Sequence, residues 1–353
     1  MAHLPTHRGF KNFTGFLTGS QSYTATQRWR DGAPYNGTTY STNLFGHDTL
    51  ATVDAHDPAL PLFLYLPWQA VHAPYDPVPM WDKGTNYEGM LWLSDCYVGR
   101  LRAMLVTKGM YDNTLIVYSS DNGGRGDGIN YPLRGEKRTN YEGGMRVAAF
   151  VSGGLIPRHL RGTTSGIRFH IVDWYPTFCH LAGVDPSDNS PIPPLPIDPA
   201  DPTRDIYGNA TWPGIDGVNV WDALINPASY NATSIHHTIV LSREALIKGK
   251  YKIMTAQRGN TGKTPLLSLV SPPHTHTVHQ YCTRTHDMYA LCVMGSRTLL
   301  CASPKDGPSL PPTPLPWAAF RLILAVHCVL DQIRRAPGCS SARRGWKSCL
   351  WLP

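Results

Sequence analysis

The sequence predicts an α/β fold with a largely parallel sheet between helices, and three observations carry the prediction. Pro61-Leu-Phe-Leu-Tyr-Leu66 and Thr114-Leu-Ile-Val-Tyr118 are short continuous apolar runs, the pattern of strands covered on both faces. Between them, residues 87–108 carry Met90, Leu93, Tyr97, Leu101, Met104 and Leu105 at helical spacing, with Gly109 placed to end the helix. A third strand is expected near Val147–Val151, followed by a helix over Asp173–Ala182 that stops at Gly183. Strands alternating with helices read as a parallel sheet.

The remaining segments follow in chain order. Met1 to Asn43, rich in Gly, Thr, Ser and Tyr, shows no sustained period and reads as loops with short strands. Residues 67–80 are punctuated by proline and read as loop. Residues 185–214, dense in Pro and Asp, form an extended loop or linker. "IDGVNVWDAL" predicts a short helix, and "EALIKGKYKIM" a strand with Lys250 and Lys252 outward and Tyr251 and Ile253 inward. From about Thr264 the pattern fails into clustered prolines and scattered cysteines. The expected organisation is therefore 1–184 and 215–263 as ordered units, 185–214 between them, and 264–353 as a disordered tail.

Composition narrows the class. A chain of 353 residues, 42% hydrophobic, can bury a sizeable core. Its net charge of +7 is concentrated in residues 264–353, which hold 9 of 32 Lys+Arg and 3 of 25 Asp+Glu. The rest is close to neutral, so no nucleic-acid groove is implied. Cys96 and Cys179, the two cysteines outside the tail, read as buried small hydrophobes. Asn12, Asn36, Asn209 and Asn231 head sequons, glycan acceptors in a secreted chain. "MAHLPTHRGF" lacks the basic-then-apolar pattern of a signal peptide. The longest apolar candidate, Trp317–Leu330, is interrupted by Arg321 and His327, so no membrane span is expected.

The chemistry-bearing residues sit in loops after the first two strands. In open parallel sheets, ligands bind beyond the carboxyl ends of strands, because those loops share one edge. One loop carries His72; the other opens Asp121-Asn122-Gly123-Gly124 and continues to Arg134, Lys137 and Arg138. An Asp carboxylate beside an Asn carbonyl offers two hard oxygen ligands, suited to Ca²⁺ or Mg²⁺. Lys137 supplies a mobile positive charge and His72 a proton near neutral pH, the groups that cleavage of an anionic ester needs. Blander readings stand beside these. Asp-Asn-Gly-Gly alone is a turn, and Lys137 between two arginines also fits a solvated basic turn. Glu142 and Arg146 read as backbone-orienting groups, and His170 and His180 as core or surface histidines. Arg125-Gly126-Asp127, the loop near Gln257–Thr264 and the His274, His276, His279, Cys282 set spell an integrin tripeptide, a phosphate loop and a zinc site only by coincidence.

"SSDNGG", "YPLRGEKRTNYEGGMRVAAFVSGG", "HIVDWYPTFCHLAGV" and "DGVNVWDAL", with "PLFLYLPWQAVHAPYDPVP" upstream, together resemble the sulfatase family, in particular arylsulfatases of the B, I and J kind, over roughly residues 4–255. The resemblance implies an alkaline-phosphatase-like mixed sheet between helices with a small C-terminal subdomain. It also implies one Ca²⁺, a formylglycine made from Cys or Ser in a C/S-x-P-x-R motif, hydrolysis of aryl or glycosaminoglycan sulfate esters, and a lysosomal or extracellular setting. On the matching positions, Asp121 and Asn122 correspond to calcium ligands, His72 to the histidine that contacts sulfate and protonates the leaving oxygen, and Lys137 to the lysine that bridges to sulfate. No C/S-x-P-x-R and no Asp-Asp pair occurs in the sequence. The family's Lys-x-His segment would fall before Met1, so the chain is expected to be a truncated or mis-spliced product, its tail read through after Gly262-Lys263. It is expected not to turn over sulfate esters. The alternative is a non-catalytic pseudo-sulfatase that binds sulfated glycans or an intact paralogue.

Overall fold

The computed structural model describes residues 4–187, 214–231 and 233–254 and, as strand backbone only, 290–294, 297–301 and 322–328. In chain order the strands and helices are β1 (Thr14–Gly15), β2 (Arg28–Arg30), β3 (Ala33–Tyr35), α1 (Ser41–Ala55), β4 (Leu62–Pro67), α2 (Asn86–Thr107), β5 (Thr114–Ser120), α3 (Glu142–Met145), β6 (Ala148–Ser152), β7 (Thr164–Ser165), α4 (Trp174–Ala182), α5 (Trp221–Ile225), β8 (Thr238–Ser242), β9 (Ala245–Lys248), β10 (Tyr251–Met254), β11 (Ala290–Met294), β12 (Arg297–Cys301) and β13 (Leu322–Cys328). Among the described residues the main sheet has seven strands in the order β4-β13-β5-β6-β11-β12-β7; of two three-stranded sheets, β1-β2-β3 precedes it in sequence and β10-β9-β8 falls between its β7 and β11.

The helices form where the spacing places them. Thr85 caps α2 by accepting from the Glu88 amide at 3.2 Å, while the Glu88 carboxylate accepts from the Thr85 amide at 2.8 Å. Met90, Leu93, Tyr97, Leu101 and Leu105 turn inward, and Gly109 ends the turn at φ +65°. Helix α4 stops at Gly183 in the same left-handed conformation. Helix α1 is an addition to the sequence reading. Its buried positions, Leu44, Phe45, Thr49 and Val53, make only an irregular stripe, and Gly46 interrupts it. That glycine is needed for packing, because a Cβ there would lie 2.3 Å from the Tyr97 ring of α2.

Strand β5 is buried along its whole length, as its continuous apolar run requires. Ile116 and Tyr118 face the core under α1 and α2, whereas Leu115 and Val117 face a second core with Trp174, Leu181 and Leu224. Helices therefore cover both of its faces. Strand β4 departs from the expectation of two covered faces. It lies at the sheet edge, and Phe63 and Tyr65 are each 47% exposed while Leu66 is buried.

The sheet is mixed, and among the described residues parallel pairing is confined to β13, which runs parallel to β4 and to β5. The pairing of β6 with β5 is antiparallel, correcting the largely parallel arrangement. A parallel return needs a crossover helix, and the only helix between β5 and β6 is the four-residue α3. From the region read as a patternless tail, three stretches join the sheet as β11, β12 and β13. The run Leu322-Ile-Leu-Ala-Val326 is the kind of apolar, β-branched stretch a central position accepts. The rest of the tail, residues 188–213 with Asn209 among them, and the His274–Cys282 set lie outside the described residues.

Strand β10 inverts the expected facing. Lys252 is 4% exposed while Tyr251 and Ile253 are 47% and 39% exposed. An ion pair accounts for the reversal, since Lys252 Nζ lies 2.9 Å from Glu142 Oε1.

Candidate functional site

Strands β4 and β5 both run parallel to β13, so their carboxyl ends share one edge of the sheet. The chain leaving β4 is anchored by buried Trp68, Ala70 and Val71, which leaves half-buried His72 at the rim. The N-terminal segment fixes this loop. Buried Arg28 donates to the Tyr23 carbonyl at 2.5 Å, and the Tyr23 hydroxyl shares its one proton between the carbonyls of Gln69 and His72, each 2.9 Å away. Asp76 accepts from the Tyr23 amide at 2.8 Å. His72 Nδ1 lies 2.5 Å from the Ala73 carbonyl oxygen. A carbonyl only accepts, so Nδ1 carries the proton and Nε2 is left for a ligand.

The loop after β5 is closed backbone to backbone. The Gly123 amide donates to the Gly144 carbonyl at 3.0 Å, the Lys137 amide to Gly124 at 3.0 Å and the Gly143 amide to Arg134 at 2.7 Å. Buried Asn130 accepts from the Gly124 amide at 2.7 Å and donates to the carbonyls of Gly124 and Gly135 at 2.9 and 3.1 Å. A Cβ on Gly123 would fall 1.6 Å from the Gly143 oxygen. The glycines thus serve the approach of one loop limb to the other, where the sequence reading had them approach a ligand.

Of the basic residues here, Arg134 stacks over the Tyr141 ring at 4.2 Å, and Arg125 Nε lies 3.4 Å from Glu136. His72, Asn122 and Lys137 line one cavity of about 370 Å³, together with Val71, Tyr75, Arg125 and Arg138. Asp121 is exposed and lines a different cavity, of about 460 Å³, in which Asn122 also takes part. The four expected site residues are therefore divided between two hollows that meet at Asn122.

The second hollow lies between the main sheet and β8, β9 and β10, and several of its charged side chains are paired. Glu142 lies 2.9 Å from Lys252 and 3.5 Å from Arg146. Arg168 donates to the carbonyls of His236 and Gly249 at 3.3 and 3.0 Å. Burial lowers its pKa, Glu142 opposing the shift and Arg146 adding to it. Beside this hollow, buried Asp173 accepts from the His170 and Val218 amides at 2.7 and 3.1 Å and lies 2.8 Å from His236 Nε2. Burial also lowers the pKa of His170, with Asp173 opposing it. Asn130, Asp173, Arg168 and the Glu142–Lys252 pair escaped the sequence reading, because each acts through partners distant in sequence or through backbone carbonyls that no motif marks.

Calcium takes six to eight oxygen ligands. Asn122 Nδ2 donates to the Gly123 carbonyl at 3.0 Å, which leaves its Oδ1 for a cation beside the Asp121 carboxylate. Among the described residues no group of three or more His, Cys, Asp or Glu side chains converges. These residues do not complete a calcium site. Of the sequon residues, Asn12, Asn36 and Asn231 are exposed. No helix among the described residues is long and apolar enough to cross a membrane.

Comparison with known proteins agrees with this frame. Mouse arylsulfatase J is 35% identical over 204 residues, covering 51% of this chain and 34% of that protein. The Escherichia coli protein described as uncharacterized sulfatase YdeN is 31% identical over 199 residues, again 51% and 34%. Human N-acetylgalactosamine-6-sulfatase is 32% identical over 151 residues, 39% and 28%. The crystal structure of Ps i-CgsB in complex with k-i-k-neocarrahexaose superposes with a TM-score of 0.53 at 25% identity, covering 72% of this chain and 59% of that one. The chain spans about a third of the length of these curated relatives. The sulfatase profile matches residues 3–184, more than half of the 353 residues, and the chain belongs to the sulfatase family.

Proposed function

We propose that this chain is part of a sulfuric ester hydrolase of the arylsulfatase kind, acting on aryl or glycosaminoglycan sulfate esters in the lysosome or outside the cell, in which His72 and Lys137 grip the sulfuryl group. The observation that carries the reading is the common cavity of His72, Asn122 and Lys137. Lys137 balances charge that develops on the sulfuryl oxygens, a contribution of about 2.7 to 4 kcal/mol for a donor placed at such a charge. His72, its Nδ1 proton held by Ala73, passes a proton from Nε2 to the leaving oxygen only when the ring is an imidazolium carrying a second proton there. Asp121 and Asn122 would contribute two of the six to eight oxygens that Ca²⁺ takes. The exposed sequon residues Asn12, Asn36 and Asn231 suit a glycosylated, secreted chain.

The 353 residues contain no C/S-x-P-x-R, and positioning groups do not replace a covalent nucleophile. Residues 1–353 therefore bind sulfate esters without turning them over. That favours, as a second reading, a pseudo-sulfatase that holds sulfated glycans or pairs with an intact paralogue. The test is calorimetric titration of the full chain with 4-nitrocatechol sulfate beside a colorimetric turnover assay. Binding that weakens in His72→Ala, with no release of nitrocatechol, is expected. Turnover by residues 1–353, or binding indifferent to His72, overturns the reading.

A further inference from the structure

The cavity that holds His72 and Lys137 carries more positive charge than a sulfate monoester requires. Such an ester brings a single negative charge, yet Lys137, Arg125 and Arg138 all line the hollow and no carboxylate does among the described residues. Glu136 offsets Arg125 only from the exposed rim, where an ion pair at 3.4 Å is screened by water. Arg138 holds a left-handed backbone at φ +75°, which a non-glycine residue adopts at some cost. The volume of about 370 Å³ exceeds what a sulfuryl group fills and suits a sugar or aromatic ring beside it.

We infer that Arg125 and Arg138 form a second anion subsite, which selects sulfate esters bearing another sulfate or a carboxylate about one ring away from the ester held by Lys137. The two arginines are specificity-determining residues, set on either side of Lys137 in one closed loop. Their planar guanidinium groups match a sulfate or carboxylate in paired hydrogen bonds, a geometry that Lys137 does not offer. This inference rests on the proposed role of His72 and Lys137 and adds a second binding group to it.

The full chain is titrated calorimetrically with 4-nitrophenyl sulfate, a monoanion, and with a disulfated disaccharide. The native chain is expected to prefer the disulfated ligand by roughly fivefold or more, with the preference shrinking as salt rises. In Arg125→Gln with Arg138→Gln the ratio falls toward one. Arg138→Gly, which keeps the left-handed backbone without strain, guards against loss through misfolding and is expected to lower the ratio while leaving thermal stability at or above the native value. A native chain that binds both ligands alike, or a double variant that keeps the native ratio, sinks the subsite alone. Failure of both ligands to bind the native chain sinks the subsite and the sulfate-binding role together.

Discussion

Asn122 stands between two cavities that treat charge in opposite ways. In the first, Arg125, Lys137 and Arg138 line the hollow near solvent with no carboxylate beside them in the lining among the described residues. In the second, Glu142 is enclosed between Lys252 and Arg146, and Arg168 is bonded to carbonyls. Charge left uncompensated at a rim attracts a ligand, whereas charge compensated inside a wall holds two units of the fold together. The same residue types thus serve recognition in one place and architecture in the other.

The contrast is broken most severely by Gly123→Ala, since the new methyl has no room against the Gly143 oxygen. A loss of about 3 kcal/mol in urea unfolding is expected, with sulfate-ester binding lost alongside. Lys252→Ala leaves Glu142 its longer contact to Arg146 and is expected to cost about 2 kcal/mol, while ester binding per folded molecule is retained. Lys252→Met combined with Glu142→Gln should recover part of that stability.

Asp95 of α2 sharpens the comparison, because burial alone raises its carboxyl from 3.8 to about 6. Between those values the fold keeps a proton that the unfolded chain has released, so stability falls as pH rises through the window. Asp95→Asn is expected to stabilise the chain by about 1.5 kcal/mol at pH 7 and hardly at all below about pH 4, read from melting curves across pH. The smallest effect belongs to the open cavity. Lys137→Ala should weaken 4-nitrocatechol sulfate binding about fivefold, with thermal stability unmoved.

Much of this organisation was legible in the residues. Period and composition placed β5, α2 and α4, and an ordered set of motifs pointed to His72 and Lys137 as neighbours across 65 positions of chain. The reading stopped where partners were needed. Lys252 in an alternating run reads as solvent-facing until Glu142 arrives from another strand connection, and Asn130 looks like an ordinary loop residue until three backbone groups converge on it. Helix α1 was missed because its buried face is irregular and holds a glycine whose purpose lies in α2. The division of Asp121 and Lys137 between two hollows likewise follows from loop closure, which adjacency in sequence does not encode.

The Asn130 stitch bears on how the molecule withstands digestion. Arg125, Arg134, Lys137 and Arg138 offer trypsin four cut points within fourteen residues, on a segment that joins two strands and contains no long helix. A protease must draw out an extended stretch before it can cleave, and here that means releasing Asn130 from Gly124 and Gly135 first. The most heavily tryptic loop on the sheet edge is thereby held in a form that delays nicking.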